Sequence, residues 1–530
     1  MNAAQVMNLG TLLRQAAQLF PDQDGVIRGD ERWSWREIDQ RVDAMVAALR
    51  ELGLKKGDRI LVQSRNNLQL FESCWIAFRL GCVWVPTNFR LTPPEVAYLG
   101  ASSGARAMIY ESDFAAHVDA VRKASSVLEH IICIEAPRHD EHDYEQLVER
   151  HAGARPQPEQ VGQDDPLWFF YTSGTTGKPK AGVLTHGQMA FVVTNHLADL
   201  IPGTTEKDRS IAVAPLSHGA GIHELLNVAR GAATVLLPSD KLDPEVFWQL
   251  VQEHRVSNLF TVPTIVKMLV EHPAVDRYDH SSLRYIIYAG APMYRADQKL
   301  ALQKLGKVLV QYFGLGEVTG CITVLPPEMH SANDEDPNAN IGSCGRPRTG
   351  MEVAILDDEL RPLAPGTVGE ICCRGPAVFA GYHENAEATV KALRGGWFHT
   401  GDLGRVDERG LLYITGRESD MYISGGSNVY PREVEEVLLT HAGVAEVAVL
   451  GVPDPKWGEV GIAVVVRKER TPPVDAPSLL AHLEGRCARY RWPKEIFFWE
   501  ALPKSGYGKV TKKDVKRLLI ERGEVREPVQ

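Results

Sequence analysis

Four apolar runs in this chain break directly into glycine-rich loops. They are FFYTSGTTG from Phe169, AVAPLSHGAG from Ala212, IIYAGAP from Ile286 and QYFGLGE from Gln311. A short apolar run bounded by glycine reads as a buried strand whose end must turn sharply. Further runs of the same kind are RILVQS, AMIY, HIICI, ATVLLP and NLFTVP. Helical stretches lie between several of them, such as Pro244–His254 and the face formed by Ile38, Val42, Met45, Val46 and Leu49. Strands alternating with helices predict an α/β protein, with parallel-type sheets layered by helices. In such sheets ligands gather at the carboxyl ends of the strands. The four glycine loops are therefore the first candidates for a site.

The pattern changes after about Pro347. GEICCRG, GRVDERGLLYITG and MYISGG read as short strands joined by tight turns, a small β-rich subdomain. A last unit follows, with a helix over 431–440, strands EVAVLGVP and GIAVVVRKE, a helix near 479–490, strand IFFWEAL and a basic helix over 511–522. The reading places a domain boundary near 416–420, between a large N-terminal domain, 1–416, and a small α+β C-terminal domain, 421–530.

Composition narrows the function classes. With 44% hydrophobic and 24% charged residues over 530 positions, the chain is that of an ordinary globular protein. Its formal net charge of −10 argues against a nucleic-acid-binding surface. The eight cysteines are scattered without a CxxC pair, which predicts reduced and mostly buried thiols. No run reaches the roughly 18 apolar residues of a membrane span, so a cytoplasmic protein is expected.

The loops hold distinct chemistry. In YTSGTTGKPKAGV, glycines let backbone N–H groups approach phosphate oxygens, while hydroxyls and lysines add donors and charge. The spacing is not that of a Walker A loop, because Gly174 and Gly177 enclose two residues and Pro179 follows Lys178. A surface turn of small polar residues is the plainer alternative. Glu317 follows two glycines at a strand end, where one carboxylate plus substrate phosphates suits Mg2+. Taken alone, it is also an ordinary exposed glutamate, and Phe313 an ordinary core ring. Asp402, in GWFHTGDLGRVD, sits in a glycine-flanked turn, suited to ribose hydroxyls or simply to turning the chain. His218 stands at a strand end within a glycine loop, as a structural or a functional residue.

Together and in this order, YTSGTTGKPKAGV, PLSHGAG, YAGAP, QYFGLGE, GWFHTGD, GRESDMYISGGSNVYPREVE and LPKSGYGKV resemble the motif series of the adenylate-forming superfamily, which includes acyl- and aryl-CoA synthetases. The resemblance runs from about Leu9 to Arg522. It implies a two-step reaction: a carboxylate attacks the α-phosphate of ATP to give an acyl-adenylate, then a thiol, usually CoA, displaces AMP. It further implies that Thr172, Ser173, Gly174, Thr175, Thr176, Gly177 and Lys180 cradle phosphates and that Glu317 binds Mg2+. Phe313 stacks on adenine beside Gly314, while Gly290, Ala291 and Pro292 line the adenine slot. Asp402 holds the ribose with Arg417 nearby, Lys509 bridges the reacting carboxylate and α-phosphate, and His218 lies beside the acyl pocket. The C-terminal domain is expected to pivot near Ser419, withdrawing Lys509 and bringing Ser424, Gly425 and Gly426 to the thiol. ATP, Mg2+ and CoA are the implied cofactors and co-substrates.

Two positions depart from the family pattern. Gly316 stands where a threonine is usual, which is expected to slow adenylation or widen the pocket. Ser419 replaces the usual Asp or Lys at the pivot. Small residues at Gly219, Ala220, Gly221 and Ala289 leave volume for a medium- or long-chain fatty, cyclic or aryl monocarboxylate. The expected partners are that acid, ATP and CoA; a homodimer is left open. The alternatives are a stand-alone enzyme loading a carrier-protein thiol, a luciferase-like oxygenase and a non-catalytic nucleotide-binding protein.

Overall fold

The structure is a computed structural model that describes residues 6–172, 178–291, 293–424, 427–468, 474–504 and 510–525. Each expected strand before Pro347 is present within a residue or two of its apolar run. The first sheet has seven strands. In spatial order they are His142–Asp143, His130–Cys133, Ala107–Tyr110, Arg59–Gln63, Val83–Pro86, Pro166–Thr172 and Lys180–Thr185. All pair in parallel except the last, which folds back antiparallel on Pro166–Thr172.

A second sheet has a parallel centre made of Leu309–Phe313, Tyr285–Tyr288, Asn258–Thr261, Arg209–Ala212, Ala233–Leu236 and Asp24–Arg28. The β-rich segment expected after Pro347 does not stand apart. It continues this sheet through Thr323–Leu325 and Ser343–Pro347 as an antiparallel extension of Leu412–Arg417, Phe398–Val406, Gly369–Arg374 and Glu352–Leu356. The centre of the sheet is parallel, as read for the strands before Pro347, and the short strands joined by tight turns are antiparallel. Tight turns such as Asp407–Leu411 allow only antiparallel return.

The two N-terminal sheets share one large core, and strand periodicity decides which side chains enter it. Successive strand residues face opposite ways. On Pro166–Thr172, Trp168 and Phe170 face the shared core, while Phe169 and Tyr171 face a separate cluster with Leu61 and Met108. The hairpin then runs straight into helix His186–Asp199, whose first turn is capped where the Gln188 backbone N–H donates 3.2 Å to Thr185 Oγ1.

The C-terminal sheet consists of Ser427–Val429, Tyr422–Ser424, Gly458–Arg467 and Val444–Asp454, with Glu495–Trp499 added in parallel. It is buried on both faces. Val447, Val449, Ala463 and Val465 pack with Leu479 under one layer, whereas Ala448, Leu450, Ile462 and Val464 meet Val515 and Leu519 of helix Lys512–Glu521 on the other. This accounts for near-continuous apolar strands at both positions. The helix expected over 479–490 is shorter and earlier, Ala476–Leu483. The backbone turns extended at Glu484, and Gly485 follows at φ +71°. No helix among the described residues is long and apolar enough to cross a membrane.

Candidate active site

Glu317 opens a short 3-10 turn, Gly316–Val318, just beyond strand Leu309–Phe313. Its carboxylate is buried, 5% exposed, and two hydroxyls hold it. Thr172 Oγ1 donates to Oε1 at 3.2 Å, and the Tyr382 hydroxyl donates to the same oxygen at 2.9 Å. Oε2 accepts no hydrogen bond and no cation pairs with the group among the described residues. Burial and the neighbouring carboxylate raise the Tyr382 phenol well above the ordinary tyrosine range, so it stays a donor. Lys180 Nζ stands 5.4 Å from the Tyr382 ring centroid.

Tyr382 is absent from the sequence reading. It lies 65 residues from Glu317, outside the glycine loops, and arrives by backbone pairing. The Val183 N–H donates 2.9 Å to Gly381 O and the His383 N–H donates 2.9 Å to Ala181 O. The short AGYHEN segment thus lies along strand Lys180–Thr185 and delivers the phenol to the hairpin mouth. That long-range edge pairing leaves no local pattern.

Thr172 and Lys180 are direct cross-strand partners, so the two ends of the hydroxyl-rich loop meet beside Glu317. Ser173, Gly174, Thr175, Thr176 and Gly177 between them lie outside the described residues, as do Pro292, Gly425, Gly426 and Lys509.

Asp402 and Arg417 occupy facing strands, Phe398–Val406 and Leu412–Arg417. Asp402 is 5% exposed, and Arg417 Nε meets its Oδ1 at 3.1 Å. Their pairing depends on a bulge between Leu403 and Gly404. From the turn upward, Val406 pairs with Leu412. Without the extra residue the same count would bring Asp402 opposite Gly416.

The remaining expected residues fall at neighbouring strand ends. Gly290 and Ala291 follow strand Tyr285–Tyr288. Phe313 is partly buried and packs on the Ile355, Ile371 and Leu412 cluster as well as on the main core. A Cβ at Gly314 would lie 2.5 Å from Gly320 Cα, so the two backbones touch there. His218 precedes helix Gly219–Val228, with its ring centroid 5.0 Å from that of Phe170. His223 is buried inside the same helix and hydrogen-bonded to Asn258 Oδ1 at 2.7 Å. Burial lowers it to about 4, which keeps the ring neutral. Ser419 is exposed, within the turn Glu418–Asp420, its hydroxyl 3.3 Å from Asp420 Oδ1.

The departure at Gly316 does not widen the pocket. A Cβ built there would lie 2.6 Å from Phe170 Cδ1 and 3.1 Å from Thr172 Cγ2. The Phe170 ring already fills the space that a side chain would need.

Described cysteines are free, and all but Cys487 are buried. One metal-type grouping occurs among the described residues, Glu370, Cys372 and His399. Its Glu370 carboxylate is already engaged by Arg394 at 2.9 Å and by His399 Nδ1 at 2.7 Å.

Comparison with known proteins agrees with this geometry. A family described as AMP-binding enzyme matches residues 13–383, and one described as AMP-binding enzyme C-terminal domain matches residues 433–509. A feruloyl-CoA synthase of Amycolatopsis is 36% identical over 96% of this chain and 98% of its own. An indoleacetate–CoA ligase of Aromatoleum aromaticum is 33% identical over 97% and 99%. The solved o-succinylbenzoate CoA synthetase of Bacillus subtilis, in complex with its acyl-adenylate intermediate, superposes with a TM-score of 0.83 at 29% identity, covering 97% of this chain and 98% of that one. Matched over well more than half its length, and with relatives of this kind along nearly all of it, the chain belongs to the AMP-binding enzyme family.

Proposed function

We propose that this protein is an ATP-dependent acid–CoA ligase for a monocarboxylic acid. The acid's carboxylate attacks the α-phosphorus of ATP and pyrophosphate leaves. The CoA thiolate then attacks the acyl carbonyl of the adenylate and AMP leaves. The observation that carries this reading is the pair of buried carboxylates: Glu317, held among the described residues by hydroxyls alone, and Asp402, paired with Arg417. Neither step needs a protein nucleophile, and both gain from positioning and from stabilising oxyanions.

In this reading the loop from Thr172 through Ser173, Gly174, Thr175, Thr176 and Gly177 to Lys180 holds the β- and γ-phosphates. Gly290, Ala291, Pro292, Phe313 and Gly314 surround adenine, Asp402 and Arg417 take the ribose, and His218 borders the acid. Mg2+ fits the donor set, because Glu317 keeps one carboxylate oxygen without a hydrogen bond among the described residues. When bound, the ion neutralises phosphate charge that would otherwise oppose attack. Glu317 itself is oriented by Thr172 and Tyr382. Residues 421–530 form a lid that pivots at 417–420. It carries Lys509 to the reacting oxygens for the first step, and Gly425 and Gly426 to the thiol for the second.

The test is a screen of AMP release over fatty, cyclic and aromatic acids, with and without CoA. CoA-dependent thioester formation supports the ligase; AMP release without CoA consumption points to a carrier-protein acceptor. Lys509→Ala tests the lid. It should nearly abolish pyrophosphate release yet spare thioester formation from a supplied acyl-adenylate. Equal loss of both half-reactions would sink the rotation.

A further inference from the structure

Phe170 lies directly behind the Thr172–Glu317 contact. It is two residues before Thr172 on one strand, so the two side chains share a face, with their backbones roughly 7 Å apart. The ring is only partly buried. One neighbour is the Gly316 backbone, whose missing side chain would strike Cδ1. Another is His218, at 5.0 Å between ring centroids and a 58° tilt. Trp168 backs the ring at 5.6 Å. The ring therefore spans the distance between the reacting centre and the start of helix Gly219–Val228.

A second aromatic surface begins at that helix. A Cβ at Gly219 would lie 2.7 Å from Phe260 Cζ, and Phe260 stacks on Tyr312 at 5.8 Å and 19°. Ring faces and glycines line this path. Inside the helix, His223 is held neutral by burial, and the Glu224 carboxylate beside it is taken up by the Ser210 and Thr234 hydroxyls. A wall of ring faces favours a flat aromatic guest in an offset or tilted stack. No lysine or arginine is among these residues, so a second carboxylate meets no ammonium or guanidinium there.

We propose that Phe170 and Gly316 act as one specificity-determining unit, in which the ring occupies the space of a side chain at 316 and offers its free face to a planar aromatic monocarboxylate. The proposal rests on the acid–CoA ligase reading and names the acid class for that same site. The two positions are coupled, because any side chain at 316 must displace the ring.

The test compares wild type, Phe170→Ala, Gly316→Thr and the double variant on a cinnamate-type acid and on octanoate. It scores both acid-dependent ATP–pyrophosphate exchange and thioester formation, with a melting curve for each protein. Wild type should favour the aromatic acid. Phe170→Ala should lower the aromatic-to-octanoate ratio of kcat/KM about tenfold, the scale of a lost pocket contact. Gly316→Thr should lower aromatic turnover by about tenfold or more, and much less in the Phe170→Ala background, because the collision is then relieved. A ratio unchanged within about twofold in Phe170→Ala, independent effects in the double variant, or a wild-type preference for octanoate each overturn the proposal. Exchange without thioester formation overturns the CoA reading instead, and leaves the ratio readable from exchange. Should Gly316→Thr fail to fold, Gly316→Ala carries the same coupling test.

Discussion

The two ends of the site hold their carboxylates in opposite ways. Glu317 is held by two neutral hydroxyls, Thr172 and Tyr382, with no cation beside it among the described residues. Asp402 instead pairs with a guanidinium, that of Arg417. A carboxylate that keeps its charge suits a cation and the phosphates around it. A carboxylate already paired with a cation suits uncharged ribose hydroxyls, which need an acceptor rather than a field. The difference between binding a metal and binding a sugar thus rests on the partner, since the acidic group is alike. A third buried carboxylate extends the series. Glu224 accepts from Ser210 at 2.9 Å and Thr234 at 2.6 Å, with no cation. Full burial raises it to about 7.

The largest effect should come from removing the charge at the Glu317 end. Glu317→Gln keeps size and most hydrogen bonding, yet should cut adenylation by about a hundredfold or more, in line with losing a key electrostatic contact. Excess Mg2+ should recover part of it. Activity within threefold of wild type would break the contrast between the two ends.

Next in size is a pH effect at Glu224. Its folded value, about 7, lies above that of an exposed glutamate. The protonated form is therefore the one the fold favours. That stabilisation is complete below pH about 4.5 and is lost as pH rises through about 7, on the order of 3 kcal/mol. The melting temperature of wild type should therefore fall relative to that of Glu224→Gln as pH rises across this window. Parallel curves would show that hydroxyl partners alone keep a buried carboxylate ionised. The buried histidines His186, His223 and His330, each lowered to about 4 by burial, act in the opposite sense. Their stabilisation is present above pH about 6.5 and is lost as pH falls towards 4, because the unfolded chain then binds protons that the fold does not.

At the ribose end, Asp402→Asn should raise the KM for ATP by roughly tenfold to thirtyfold, on the scale of one charge-assisted hydrogen bond. It should also shrink the discrimination between ATP and its 3′-deoxy analogue. Retained discrimination would place the ribose elsewhere. The smallest change should follow Tyr382→Phe, which removes one of two donors to Glu317. About fivefold in kcat is expected, matching one net hydrogen bond. A loss as large as that of Glu317→Gln would mean that the phenol itself contacts the substrate.

Much of the fold was legible because its signals are local. Short β-rich apolar runs such as AMIY and LWFFY read as buried strands, and the glycine loop after LWFFY marks where its strand ends. The sheet extension beyond Pro347 and the early end of helix Ala476–Leu483 were less legible. One depends on which edge receives the strands, and the other on where the backbone turns extended, at Glu484.

The sequence by itself determined which loops carry hydroxyls, carboxylates and glycines, and the order in which they occur, because each is a demand of a few adjacent residues. Only the tertiary structure decided who partners whom. Tyr382 reaches Glu317 through strand-edge pairing, Phe170 fills the space over Gly316 through packing, and a single-residue bulge turns Asp402 towards Arg417. These are contacts between distant segments. Their free energy depends on register and close packing, to which a one-dimensional pattern gives no access.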